Sequence, residues 1–363
     1  MGWQKIILNI VLSIESFFLK SLNIKNNRIT FISLESDELT SDSKLIYDML
    51  DQNQYDIRLC LIQYHKNLFG QFLYFLNCMK QLYLVYTSKV IIISHNNYVV
   101  SHFKRDGVIV LQLWHACGAI KKFGNAIERE YPVSGYDYVI STSDYWKKPY
   151  SEAFGVEEDH VIHTGIPRND ELFNKDTVLS YQNKLLEKYP ALKDKKVILY
   201  APTFRGNLYK GFRTVDFDAK KILEQLGEDY ILLYKFHPLL GNIELGEHPR
   251  LFNMNHEDTH QLFCISDYLI SDYSSIVFDY MILQKPILFY VPDYKEYMKD
   301  VGVFVEIEDL NCPICYCEED IVESIQNQCL ENSSLIHLKD VFFDYQDEYS
   351  TRRVVEFIEN IIR

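Results

Sequence analysis

From Arg28 onward, short apolar runs alternate with stretches of helical period, a pattern that predicts layered α/β structure. In the first half the strand-like runs are Ile29–Leu34, Ile57–Ile62, Val90–Ser94, Val108–Leu113, Tyr138–Ser141 and Val161–His163. In the second half they are Val197–Ala201, Tyr230–Tyr234, Tyr268–Ile270, Ile287–Tyr290 and Cys312–Cys317. Lys175–Lys195 reads as a polar helix and connector, the expected domain boundary. Thr351–Ile361, with apolar Val354, Val355, Phe357, Ile358 and Ile361, reads as a final helix. The order predicts two Rossmann-like domains facing a cleft, with ligands beyond the carboxyl ends of the strands. The expected division is 1–25, an apolar or amphipathic helix; 26–180 and 181–345, the two Rossmann-like domains; and 346–363, the C-terminal helix.

Residues 2–22 are strongly apolar but interrupted by Gln4, Lys5, Asn9, Ser13, Glu15 and Ser16, with no small-residue cleavage site. A spanning helix would bury Asn9 and Glu15 near mid-membrane, which is costly. An interfacial helix instead turns Trp3, Ile6, Ile7, Ile10, Ile14, Phe17 and Phe18 toward lipid and keeps Lys5 and Lys20 at the headgroups. The competing reading is a helix that packs on the protein itself.

The 363-residue length accommodates two domains with full cores, and 47% hydrophobic against 24% charged residues is a globular balance. A net charge of −14 argues against nucleic acid as a partner, and any attraction to anionic lipid has to come from a local patch. Eight cysteines are scattered along the chain, unlike a secreted disulfide framework. Cys312, Cys315 and Cys317 lack a second ligand pair, so a short strand is preferred there to a zinc site, and no metal site is expected anywhere.

Clusters with chemical potential sit at the ends of the runs. Ser271-Asp272-Tyr273-Ser274-Ser275 separates a strand from a helix, where free N–H groups and hydroxyls can cradle phosphate, with Asp272 read as a helix cap. His115 follows one run within Trp114-His115-Ala116-Cys117-Gly118-Ala119-Ile120-Lys121-Lys122-Phe123-Gly124. Its imidazole suits proton transfer near neutral pH, or else a hydrogen bond that holds the loop. His237 precedes Pro238 at another strand end, and Lys235 shares its face if the strand persists. Arg205 offers a guanidinium to phosphate oxygens. Arg168 offers another, or a salt bridge with Asp170 at a hinge. Lys121 and Lys122 suit an anionic acceptor or a solvated turn. Asp279, about one turn beyond Ser275, reaches polyol or ribose hydroxyls or is a buried structural acid. His95, His102, His160, His163, His256 and His260 have no motif around them and read as structural.

Taken together, the Trp114–Gly124 segment, Thr164-Gly165-Ile166-Pro167-Arg168-Asn169-Asp170, Tyr200–Gly206, Tyr234–Pro238 and Ser271–Ser275 resemble, in order and spacing, the CDP-glycerol glycerophosphotransferase family. The resemblance runs over residues 28–363. Ala116-Cys117-Gly118-Ala119 departs from the Gly-Thr-Pro-Leu quartet typical of long polymerases and looks closer to shorter priming or single-addition members. The resemblance implies a glycosyltransferase-B arrangement, an acceptor domain followed by a CDP-donor domain, and a C-terminal helix crossing back to the first. It also implies transfer of glycerol or ribitol phosphate from CDP-glycerol or CDP-ribitol to a lipid-linked saccharide or polymer acceptor, releasing CMP, in teichoic acid or capsule-type synthesis. His115 would be the general base and His237 would serve the diphosphate. Arg205, Lys235, Ser274, Ser275 and Asp279 would bind donor, and Lys121, Lys122 and Arg168 would meet acceptor or phosphate. No cofactor is built in; Mg²⁺ would come with the donor diphosphate. The expected place of work is the cytoplasmic face of the cell membrane, held peripherally. Two other readings stand: a nucleotide-sugar glycosyltransferase of the same fold, and a non-catalytic CDP-binding subunit.

Overall fold

The computed structural model describes residues 3–65, 67–129, 131–207, 211–237, 240, 243–300, 302–327 and 332–363. The chain divides into two units. The first holds Met1–His115, Phe123–Asp170 and Tyr349–Arg363, and the second holds Ala116–Lys122 and Glu171–Glu348. The main boundary therefore lies between Asp170 and Glu171, ahead of the connector helix Lys175–Lys188, which belongs wholly to the second unit.

The first unit is built on a six-stranded parallel sheet of β1 (Lys25–Ser33), β2 (Asp56–Leu61), β3 (Ser88–Ile93), β4 (Ile109–Gln112), β5 (Tyr138–Ser141) and β6 (Val161–His163), in the order β2-β1-β3-β4-β5-β6. The β3 core Val90-Ile91-Ile92-Ile93 is buried throughout. A strand covered on both faces needs such an unbroken apolar run. β1 lies between β2 and β3, so the winding direction reverses between β1 and β3.

The second unit carries β7 (Lys196–Tyr200), an antiparallel hairpin of β8 (Arg205–Asn207) and β9 (Gly211–Arg213), then β10 (Tyr230–Tyr234), β11 (Leu251–Asn253), β12 (Tyr268–Ser271), β13 (Ile287–Tyr290) and β14 (Ile314–Cys315). Its parallel sheet runs β11-β10-β7-β12-β13-β14, the doubly wound order with its reversal between β7 and β12. Every apolar run read as a strand is one, with ends shifted by a few residues. The hairpin and β11 escaped sequence reading. Each is three residues long, and neither carries the unbroken apolar run of a covered strand.

Helix Trp3–Leu19 packs on helix Leu68–Thr87 through buried Leu8 and Leu12. Two of its polar interruptions, Asn9 and Glu15, turn toward the protein. Tyr98 donates to Asn9 Oδ1 at 2.5 Å, and half-buried Glu15 has its carboxyl pushed up by burial. Ile6, Ile7, Ile10, Ile14, Phe17 and Phe18 are left exposed, Phe17 at 72%. The Trp3 side chain lies outside the described residues. Among the described residues, no helix is long and apolar enough to cross a membrane. In the cysteine stretch, Cys315 ends β14, buried. Cys317 stands at the N-cap of helix Glu318–Gln326, and Cys312 Sγ donates to the Leu310 carbonyl.

Candidate functional site

In the first unit the carboxyl ends of β1, β3 and β4 converge on a recess of about 210 Å³ lined by Glu35, Glu38, Asp42, Ser94, His95, Trp114, His115 and Arg168, among others. The β4 exit is unusual. Trp114 has φ 58, a left-handed conformation that a bulky L-residue avoids. Three contacts hold it there. Its N–H donates to Gln112 Oε1 at 2.9 Å, its indole stacks on Phe123 at 4.6 Å, and it meets the edge of Phe154 at 5.1 Å. Backbone strain that the surroundings over-determine is found where a side chain must be aimed, and the next side chain is His115.

The Ser94 carbonyl lies 3.5 Å from His115 Nδ1. A carbonyl only accepts, so this contact favours a proton on Nδ1 and leaves the Nε2 lone pair available. The dense protein around the ring, followed by His95, pulls the imidazole down to about 4, although one face of the residue stays open to solvent. Neutral His115 is thus the prevailing form near pH 7. Arg168 donates through its backbone N–H and Nη1 to Asp42, at 2.8 and 3.0 Å. The Arg168 partner seen is therefore Asp42, where sequence had offered Asp170. Asp170 instead accepts from the N–H groups of Ser350 and Thr351 and from the Thr351 hydroxyl, which ties the C-terminal helix Ser350–Ile362 into this unit.

In the second unit the loops after β7, β12 and β13 are drawn together by Arg205. Its Nε and Nη2 grip Asp293 at 2.7 and 3.0 Å, and Nη1 reaches Asp272 at 2.7 Å and the Thr203 carbonyl at 3.3 Å. The guanidinium lies against Tyr297 and Tyr273, 4.5 and 5.2 Å from their ring centres, and those rings stack at 3.9 Å. Asp272 does not cap the following helix, as had been expected. It accepts from the Thr203 N–H and Arg205, because a carboxylate that is only 1% exposed needs charged donors. Burial pushes Asp272 up against the pull of Arg205, while the carboxylates bind the Arg205 proton more tightly than usual.

Lys121 donates to the Thr203 hydroxyl at 3.1 Å, lies 5.8 Å from the centre of the Phe204 ring, and is pulled down by burial. His237 is exposed and sets its ring against Phe204 at 5.1 Å. Pro238, invoked for its restraint of His237, lies outside the described residues. Half-exposed Ser274 and Ser275 precede the short helix Ile276–Met281, and Ser275 makes no side-chain capping bond. Lys122 sits apart, its backbone N–H on the Gly302 carbonyl and its ammonium 5.8 Å from the centre of the Phe304 ring.

Two residues read as donor-binding point elsewhere. β10 stops at Tyr234, so the strand parity that would align Lys235 with His237 is lost. Lys235 Nζ instead donates to the Asn255 and Glu257 carbonyls at 3.1 and 2.7 Å. Asp279 is buried, 3.8 Å from His260 Nε2, whose Nδ1 pairs with Glu171 at 2.5 Å. Sequence reading did not single out Glu35, Thr203 or Asp293, and it took His95 as structural. Asp293 followed a strand end and was discoverable by that position; His95 was too, but carried no motif.

A model of the CDP-glycerol:poly(glycerophosphate) glycerophosphotransferase family matches residues 14–360. The chain belongs to this family. It is 31% identical to the teichoic acid ribitol-phosphate primase of Bacillus spizizenii, over 94% of this chain and 93% of that protein. It is 28% identical to the teichoic acid glycerol-phosphate primase of Bacillus subtilis, over 97% of this chain and 96% of that one. The B. spizizenii teichoic acid poly(ribitol-phosphate) polymerase is 31% identical over 93% of this chain, which spans only 57% of the polymerase. Among solved structures, the wall teichoic acid polymerase TagF superposes with a TM-score of 0.73 over 99% of this chain and 97% of that chain, at 23% identity, a likeness of fold. The family membership makes this chain one of the teichoic acid phosphotransferases, an enzyme family.

Proposed function

We propose that this chain transfers glycerol phosphate or ribitol phosphate from the CDP-polyol to a hydroxyl of a lipid-linked saccharide or polymer, releasing CMP. The observation that carries the reading is neutral His115, aimed by strained Trp114 into a recess at the end of β4. His115 Nε2 takes the acceptor proton as the acceptor oxygen bonds to the phosphorus of the polyol phosphate. The bond from that phosphorus to the bridging oxygen breaks, and CMP leaves with the electron pair. Phosphoryl transfer is chiefly a matter of positioning and charge stabilisation.

On the donor side, Lys121, His237 and the Ser274-Ser275 hydroxyls would meet the diphosphate. Arg205 holds the loops from within, its charge already met by Asp272 and Asp293. Those two carboxylates are committed to Arg205, so any Mg²⁺ would come with the donor and be held mainly by the donor's oxygens. Ala116-Cys117-Gly118-Ala119, standing where long polymerases have Gly-Thr-Pro-Leu, favours a priming or single-addition enzyme. Peripheral attachment to the cytoplasmic membrane face is supported by the outward row of Ile6, Ile10, Ile14, Phe17 and Phe18.

The test offers CDP-glycerol, CDP-ribitol and UDP-sugars with a lipid-linked acceptor analogue, following CMP or UDP and the product mass. A CDP-polyol should yield CMP and a product heavier by one or more polyol phosphates. His115→Asn should lower turnover about 10²–10⁴-fold with donor binding retained. UDP release alone would favour a glycosyltransferase, and CDP binding without turnover a binding subunit.

A further inference from the structure

We propose that His95, held by Glu35, is a positioning residue for His115, fixing the ring so that Nε2 stays directed at the acceptor. The proposal rests on the general-base reading of His115.

Its geometry is local and continuous. Glu35 follows β1, His95 follows β3 and His115 follows β4, so the three meet where the winding of the first sheet reverses. Glu35 Oε2 lies 2.9 Å from His95 Nε2. The His95 ring stacks on His115 with centres 4.8 Å apart and planes within 17°. The residue before His95 supplies the carbonyl facing His115 Nδ1. The His95 carbonyl accepts from Gln112 Nε2 at 3.4 Å, and the same Gln112 amide holds the strained Trp114 N–H. Ser94-His95 thus grips His115 by a ring and a carbonyl, and grips the backbone ahead of it through one buried amide.

The electrostatics run in step. His95 and Arg168 oppose protonation of His115, while Glu35 acts the other way. Glu38 and Asp42 also line the recess, and Asp42 is bound by Arg168. Packing alone would require only a flat ring at position 95. Positioning through Glu35 requires a ring with a nitrogen.

His95→Phe separates the two, because it keeps a stacked ring and removes the nitrogen. In the full-length protein labelled with ¹³C-histidine, the Cε1–H signal of His115 is assigned by its loss in His115→Asn and then titrated. His95→Phe should move the His115 midpoint to higher pH. The acidic limb of kcat/KM should move with it, kcat should fall roughly tenfold, and KM for the CDP-polyol should be unchanged. Glu35→Gln, which loosens the His95 ring, should lower kcat without moving KM. An unmoved His115 midpoint in His95→Phe, or full kcat in both variants, overturns the proposal. If His95→Phe fails to fold, His95→Gln carries the same titration. The midpoint is read without turnover. A wild-type protein that transfers no polyol phosphate therefore defeats the base reading, and the coupling between the two rings remains measurable.

Discussion

Arg205 is the residue for which sequence chemistry and folded geometry give different experimental forecasts. A phosphate-binding arginine, cut to alanine, would weaken donor binding and leave stability alone. The arginine seen here is 6% exposed and joins Asp272, 1% exposed, to Asp293. Removing it strands a carboxylate in the interior, a change that costs about 3–5 kcal/mol when a buried pair is broken from one side. Arg205→Met keeps much of the volume between Tyr273 and Tyr297, so the loss it reports is mostly charge. We expect urea denaturation at pH 7 to show a loss of that size. Asp272→Asn added to Arg205→Met should recover at least about 2 kcal/mol, the non-additivity of groups in contact. The pH dependence has a definite sign. Without Arg205 the folded-state pKa of Asp272 rises further, so the folded variant binds a proton that the unfolded chain, near about 3.9, does not. Its deficit should therefore shrink as pH falls through the folded value. A loss under about 1 kcal/mol in Arg205→Met, independent of pH and accompanied by lost CDP-polyol binding, would refute this account and return Arg205 to the donor.

Three further outcomes are expected. Trp114→Gly should be more stable to urea than Trp114→Ala by about 1 kcal/mol, because only the alanine pays for a Cβ at φ 58; equal stabilities would mean the loop relaxes. Lys235→Met should cost about 1–3 kcal/mol by leaving the Asn255 and Glu257 carbonyls short of a donor, with donor affinity by calorimetry unchanged. Ile10→Asp combined with Phe17→Asp should abolish sedimentation with anionic vesicles while the melting temperature holds, since both side chains face outward; a pellet that persists places the attachment elsewhere.

The apolar strands were legible because parallel strands buried on both faces leave unbroken apolar runs, as at Val90–Ile93 and Ile287–Tyr290. The clusters after them were legible for the same reason, since a run that ends marks where a loop begins. Individual roles were not. The chemistry of Arg205 fits a phosphate and two carboxylates equally well, and only the fold brings Asp272 and Asp293 to it from 67 and 88 residues away. Lys235 does not share a strand face with His237 because β10 ends at Tyr234, before it reaches either residue. His95 was read as structural for a different reason. A histidine gains meaning here from a ring twenty positions later, brought beside it by a parallel neighbour, and no local pattern records that pairing.

Both units solve one problem with different materials. A ligand placed at the reversal of an open sheet meets loops from strands that diverge there, so nothing in the sheet itself fixes those loops to each other. The second unit fixes them with charge: one guanidinium bridges the exits of β7, β12 and β13, backed by two stacked tyrosines. The first uses a neutral amide, Gln112, which joins the exits of β3 and β4 and holds Trp114 in a strained conformation. The difference suits the tasks proposed for them. A site that takes a diphosphate tolerates a fully compensated cation beneath it, which keeps the loops shaped without drawing the anion inward. A site that takes a proton would be spoiled by a fixed charge at hydrogen-bond distance from the base, so the brace there is uncharged, and Arg168 is paired with Asp42.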